Sequence, residues 1–214
     1  MAEPILPPPG RPVSLPDRVP SEQTAVCRLA HVLIGAACRP LWGPQAEGVE
    51  HLPPTGRVIL AFNHRHWMDT LVVPLIVQKV RYPRFLGKEE LFRNPALGWL
   101  MRQLGIIPLN RRRGDVAALR QATAVLEEEG CLALYPEGTR SRTGAPGRAK
   151  PGVAFLAQQT GAPVVPGRLF ETDRFPEPVT MRLKFGPALR YSGDGGKESC
   201  QAFADKVLET ILSL

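Results

Sequence analysis

The sequence predicts an α/β fold in which a mainly parallel central sheet is flanked by helices, with an amphipathic helix ahead of it. Two observations predict the sheet. Short apolar runs such as 58–62 and 131–135 stop abruptly at turn residues, as buried strands do. Segments with three-to-four spacing of apolar residues separate these runs, and strands alternating with helices imply parallel pairing. A third observation predicts where a ligand goes. Each run ends in a chemistry-bearing segment, Asn63-His64-Arg65-His66-Trp67-Met68-Asp69 after the first and Pro136-Glu137-Gly138-Thr139-Arg140-Ser141-Arg142 after the second. In open α/β sheets ligands occupy the crevice outside the strand carboxyl ends.

With 214 residues, one domain of ordinary size can bury a sizeable core. Hydrophobic residues make up 43% and charged residues 22% of the chain, the balance of a globular protein. A formal net charge of +7 suits an anionic partner: nucleic acid, a membrane surface or a phosphorylated substrate. Nucleic acid fits poorly, because the aromatic residues, 7% of the chain, lie mostly in apolar runs rather than among basic ones. Cys27, Cys38, Cys131 and Cys200 show neither CxxC nor ligand spacing. They read as reduced thiols, mostly in the core, in reducing, cytosolic surroundings. Seven prolines in the first twenty residues predict a flexible arm over 1–20 and no secretory leader.

The next segment, 21–40, carries the amphipathic helix. Its polar or non-packing residues Thr24, Arg28, His31, Gly35 and Arg39 form one narrow stripe, and nearly everything else is Ala, Val, Leu, Ile or Cys. Residues 24–39 would make a helix about 24 Å long, short of the roughly 20 residues that cross a bilayer, and Arg28 lies inside it. Two placements fit. The helix lies in the membrane interface with its arginines toward lipid phosphates, or it packs on the domain's own core with the polar stripe in water. Pro40 is expected to end it.

Residues 41–214 read as one domain. A strand over 57–62 leads to the His/Asp segment, and a buried helix over 70–77 contains Pro74. Phe85-Leu86 is a short strand. A helix from Pro95 to Leu104 has proline in its first turn and Gly105 at its exit. Ile106 to Leu109 is another strand. Asp115 suits the N-cap of a helix with apolar positions Val116, Leu119, Ala122 and Leu126, closed by Gly130. Beyond the 131–135 strand come a helix from Pro151 to Thr160 closed by Gly161, and strands at Val164-Val165 and Met181 to Phe185. Phe203, Val207, Ile211 and Leu214 mark a final amphipathic helix.

His64 and Asp69 are five residues apart, about 500° of rotation in a continuous helix, which leaves their side chains roughly 140° apart. They meet only if His64 stands in a loop and Asp69 in the first turn of the helix that follows, where a carboxylate is also favoured by the helix dipole. Asp69 would then fix the imidazole tautomer, leaving the other nitrogen to accept a proton from a hydroxyl. The alternative is that each residue merely caps its element. His64 and His66 also suggest the HxHxDH metal pattern, but Met68 and Asp69 stand where its Asp and His belong, and only His31 and His51 remain; no metal site is expected. In the second segment Gly138 lets backbone N–H groups approach an anion. Arg140 presents a planar fork for phosphate, and Lys88 and Arg142 can add charge.

Asn63-His64 followed by Asp69 resembles the NHx4D motif of the glycerophospholipid acyltransferases, and Tyr135 to Ser141 resembles their FPEGTRS motif with Tyr for Phe. Lys88-Glu89-Glu90-Leu91 with Pro95, Gly98 and Gly105 is similar to the family's intermediate block, which continues to a basic residue such as Arg111. Val164-Val165-Pro166 is similar to its fourth block. The resemblance covers residues 63 to 166, about half the chain. It implies a His64 general base with Asp69 as partner. Substrate would be bound by Lys88, Arg111, Glu137, Gly138, Thr139 and Arg140, with Lys88 and Arg140 on the acceptor's phosphate and Glu137 and Gly138 shaping the pocket. It further implies fatty acyl transfer from acyl-CoA or acyl-carrier protein to lysophosphatidic acid, with no metal or other cofactor, at the cytoplasmic membrane face. The protein would be monotopic or peripheral there, touching membrane lipids. The chain departs from the family at His66, where many members carry Ser. His66 reads as a solvent-facing loop residue, and Trp67 as a packing or interface anchor.

Overall fold

The computed structural model describes residues 22–110, 115–140 and 147–214. The arm expected over 1–20 and the basic residues Arg111 and Arg142 lie outside them. Among the described residues the first half holds α1 (Ala25–Trp42), β1 (Gln45–Glu47), β2 (Val58–Phe62), α2 (Asp69–Val77), β3 (Pro83–Lys88), α3 (Pro95–Gln103) and β4 (Ile106–Leu109). The second half holds α4 (Val116–Glu127), β5 (Cys131–Leu134), α5 (Gly152–Thr160), β6 (Val164–Phe170), β7 (Arg182–Phe185) and α6 (Lys197–Ser213). The strands form a sheet of order β1-β7-β6-β2-β5-β3-β4. Every neighbouring pair is parallel except β6 and β7.

β2 occupies the middle, with Leu60 level with Ala133 of β5 on one side and Val165 of β6 on the other. Its run is apolar throughout because both faces are covered. Ile59 and Ala61 enter a core layer shared with α4, α5 and α6. Val58, Leu60 and Phe62 enter the layer beneath α2 and α1. Since β2, β5, β3 and β4 are parallel neighbours, their carboxyl ends share one edge of the sheet. That edge carries the segments after His64, Glu137 and Lys88.

Several element ends differ from the sequence reading, each for a local reason. α1 continues through Pro40 to Trp42. A proline forfeits only its own N–H bond, and a tertiary contact holds the last turn: the Trp42 indole donates to the Glu177 carbonyl at 2.9 Å and its ring packs on Phe175. The helix stops at Gly43, whose N–H donates to the Arg39 carbonyl. Val116 opens α4 but is exposed, and Ala118, Ala122, Val125 and Leu126 are the buried positions. The left-handed residue after α4 is Glu129 rather than Gly130. β1, only three residues long, carries no pattern that a sequence could reveal. All four cysteines are free and buried. Burial pushes the Cys131 thiol up to about 12; it sits at the start of β5, away from the carboxyl edge.

No helix among the described residues is long and apolar enough to cross a membrane. α1 packs on the domain through Ile34, Cys38 and Trp42, with Cys27 also buried. Three of the five stripe residues face the protein. Thr24 caps the helix and its hydroxyl donates to the Gln103 carbonyl. His31 bonds to Gln23 at 3.2 Å, and Gly35 is buried against Leu75. Leu29, Val32 and Leu33 point outward, 59%, 67% and 60% exposed.

Candidate active site

The site begins where β2 runs out. The Asn63 side chain bridges to β6, donating to the Leu169 carbonyl at 3.0 Å and accepting from its N–H at 2.7 Å. This bridge holds the first residue beyond the strand. His64 follows in a loop, and Asp69 is the first residue of α2. The turn falls between them, as their spacing required, and the His64 ring donates from Nδ1 to Asp69 Oδ2 at 2.8 Å.

The same carboxylate oxygen accepts the backbone N–H groups of Arg65 at 2.8 Å and His66 at 2.9 Å. Two amides already aim at Oδ2, so it is an acceptor and the ring hydrogen sits on Nδ1. That leaves Nε2 as the bare, basic nitrogen. Both side chains are enclosed, with His64 6% and Asp69 0% exposed. The imidazole is further clamped from its face: Tyr135 stacks on it with ring centroids 4.0 Å apart and planes within 14°. Burial, and then the nearby Asp69 charge, hold the Tyr135 phenol protonated well above its usual range. Tyr135 is therefore a neutral platform.

The neighbouring strand end supplies the second half. After β5 the chain turns through Gly138, which takes φ +71° and needs glycine for it. A Cβ at this position would lie 2.9 Å from the Lys150 side chain, which is drawn over the turn by a hydrogen bond from the Lys150 N–H to the Pro136 carbonyl. Thr139 and Arg140 are exposed at the turn's far side, and Lys88 is exposed at the end of β3. Glu137 is expected to shape the pocket with Gly138. Its side chain is buried, and its two oxygens accept the N–H groups of His64 at 3.1 Å and Gly147 at 2.7 Å. It braces the His64 loop against the segment after the turn, and so shapes the pocket through the backbone.

Beside Tyr135 and Gly138 opens a cavity of about 260 Å³. Leu86, Leu109, Leu119, Leu134, Val153 and Leu156 make it apolar, and Lys150 stands on its rim. Sequence reasoning singled out neither this cavity, nor Lys150, nor the Tyr135 stack. His66 is half-buried rather than solvent-facing: its Nδ1 accepts the Met68 N–H at 3.4 Å and its ring lies 5.9 Å from Phe175. Trp67 packs edge-on against the same Phe175 at 5.1 Å and remains 44% exposed.

Sheet and site together define an α/β protein that sets a carboxylate-held imidazole beside a glycine turn with Lys150 over it. The chain belongs to the Acyltransferase family, whose model matches residues 44–169 and so takes in all four motif segments. It is similar to a chloroplastic 1-acyl-sn-glycerol-3-phosphate acyltransferase of Brassica napus, 30% identical over 138 residues, which are 63% of this chain and 39% of that protein. The 1-acyl-sn-glycerol-3-phosphate acyltransferase of Bacillus subtilis (strain 168) is 28% identical over 126 residues, 58% of this chain and 61% of that one. The match thus spans about two fifths of the plant relative and three fifths of the bacterial one. Among solved structures, the 1-acyl-sn-glycerophosphate acyltransferase from Thermotoga maritima superposes with a TM-score of 0.70 at 27% identity. The superposition covers 87% of this chain and 78% of that one.

Glu137→Gln tests the brace. An amide cannot accept from both N–H groups, so one buried donor is left facing another donor. The substitution should lower stability by about 1–3 kcal/mol in urea unfolding.

Proposed function

We propose that the protein transfers a fatty acyl group from a thioester, acyl-CoA or acyl-carrier protein, to the free hydroxyl of lysophosphatidic acid, giving phosphatidic acid. The observation that carries this reading is the 2.8 Å bond from His64 to Asp69, set at the strand end adjoining the Glu137 to Arg140 turn. Asp69 holds the imidazole with Nε2 free, and Nε2 takes the proton of the acceptor hydroxyl as its oxygen attacks the thioester carbonyl. The tetrahedral intermediate collapses, the C–S bond breaks, and the leaving thiolate takes the proton back from the imidazolium. A thioester is already activated, so the chain's own groups act by positioning and proton transfer.

Arg140 and Lys88, exposed at adjacent strand ends, hold the acceptor's phosphate. The apolar cavity beside Tyr135 receives part of an acyl chain, which needs a dry, non-polar lining. The outward Leu29, Val32 and Leu33 of α1 lie in the cytoplasmic membrane interface. Substrate and product are both lipids, so a site beside the bilayer meets them where they partition.

The test is acyl transfer from a radiolabelled acyl-CoA, with lysophosphatidic acid and neutral lysophospholipids offered side by side. Selective transfer to lysophosphatidic acid supports the reading, whereas transfer only to a neutral acceptor overturns the phosphate assignment. His64→Ala should lower transfer by at least about a hundredfold while vesicle binding is unchanged; a variant that keeps its rate removes His64 from the chemistry. Arg140→Ala should raise KM for lysophosphatidic acid by about tenfold with little change in kcat, and an unchanged KM takes the phosphate away from it. Replacing Leu29, Val32 and Leu33 together by Ser should weaken binding to phosphatidylcholine vesicles by about a hundredfold or more. Sedimentation with vesicles reads this directly, and retention would place the membrane contact elsewhere.

A further inference from the structure

The cleft between α1 and α2 takes no part in the chemistry above. Arg28 and Arg39 are eleven residues apart on α1, about 1,100° of rotation, so they fall within about 20° of one another on the helix surface. They mark one border of the outward apolar face. Buried Gly35 lies on their inner side, and exposed Val32 and Ala36 on their outer side. The opposite border, at Ala30, Ile34 and Leu41, carries no charge. The helix therefore has cations on one flank only, and that flank is the one α2 faces.

Lys79, just beyond α2, joins the two arginines in lining a groove of about 450 Å³. All three cations are exposed, and none forms a salt bridge among the described residues. Among the described residues no carboxylate lines the groove. Beneath them the polar groups pair with each other. The Gln23 amide nitrogen donates to Gln78 Oε1 at 2.8 Å and lies 3.2 Å from His31 Nδ1. An amide nitrogen only donates, so Nδ1 accepts and Nε2 of His31 carries the ring hydrogen. Burial holds this imidazole below its usual range. His31 thus brings a neutral N–H donor to the groove's lining and the three cations bring its charge.

Val32 and Ala36 line the groove as well as belonging to the outward face. An anion in the groove is therefore continuous with an apolar surface, and one occupant satisfies both: a phosphate-bearing lipid headgroup whose chains lie along α1. We infer that the α1–α2 groove binds the headgroup of an anionic phospholipid, apart from the catalytic pocket, and selects the membranes on which the protein docks. This inference rests on the docking of α1 proposed above and adds lipid selectivity to it. Phosphatidic acid, the product of the proposed reaction, is such a lipid, so a membrane enriched in product would hold the protein longer.

Sedimentation of the full chain with vesicles of phosphatidylcholine, alone or mixed with phosphatidic acid, tests the inference. The groove variant replaces Arg28, Arg39 and Lys79 by Gln. A control replaces Arg190, Lys197 and Lys206 by Gln, removing the same charge from exposed positions at α6 and just before it, on the other side of the sheet. Wild type and control should favour the phosphatidic acid vesicles by on the order of tenfold to a hundredfold, and the groove variant should bind both kinds equally. Lys79→Gln alone, which leaves α1 intact, should remove a several-fold share of the preference. If the groove variant keeps the preference, or the control loses as much, diffuse surface charge rather than the groove is responsible. Wild type that binds both kinds equally overturns the selectivity and leaves the docking reading standing. Wild type that sediments with neither overturns both.

Discussion

Three N–H groups converge on one enclosed oxygen, Asp69 Oδ2, and their convergence closes the turn between strand and helix. A carboxylate out of water needs donors, and here the donors are the ring it orients and the loop that carries the ring. Orientation of the imidazole and shape of the loop are therefore one interaction seen from two sides. Everything around it serves to hold that loop still. Asn63 ties its start to β6, Glu137 holds the His64 amide from β5, and Tyr135 lies flat on the imidazole. Lys88 and Arg140 can then stand exposed at neighbouring strand ends without being part of the clamp.

Much of this was legible in the sequence because the constraint is local. His64 and Asp69 can meet only if a turn falls between them, so reading them as a pair put the junction of β2 and α2 there. Buried strands announced themselves by runs that are apolar on both faces. Long-range contacts left no such mark. Glu137 is given a part in shaping the pocket by the family motif, which does not say how it would do so. Its real partners lie 73 and 10 residues away, and no periodicity encodes them. Lys150 stands over Gly138 for the same reason, brought there by its backbone bond to Pro136.

α1 shows a different limit. Its pattern divided the helix into a polar stripe and a wide apolar face. Which side turns inward depends on what the rest of the protein offers. α2 and the end of α3 offer Gln78 and the Gln103 carbonyl, so Thr24, Gln23 and His31 find partners inside. Cys27, Ile34 and Cys38 also turn inward, and Leu29, Val32 and Leu33 are the apolar residues left outside. An amphipathic pattern reports that a helix has two faces and leaves open which solvent each one meets.

The central place of β2 bears on how the protein fails. A strand paired on both sides and covered on both faces opens only when the whole domain does, whereas short edge strands and surface helices open locally at lower cost. His64 hangs from the end of β2, so the dyad belongs to the last part of the molecule to come apart. Helix α1 belongs to the periphery. On warming, the packing of α1 and the geometry of His64 and Asp69 are therefore separable, and the first can be lost and regained while the second is left untouched.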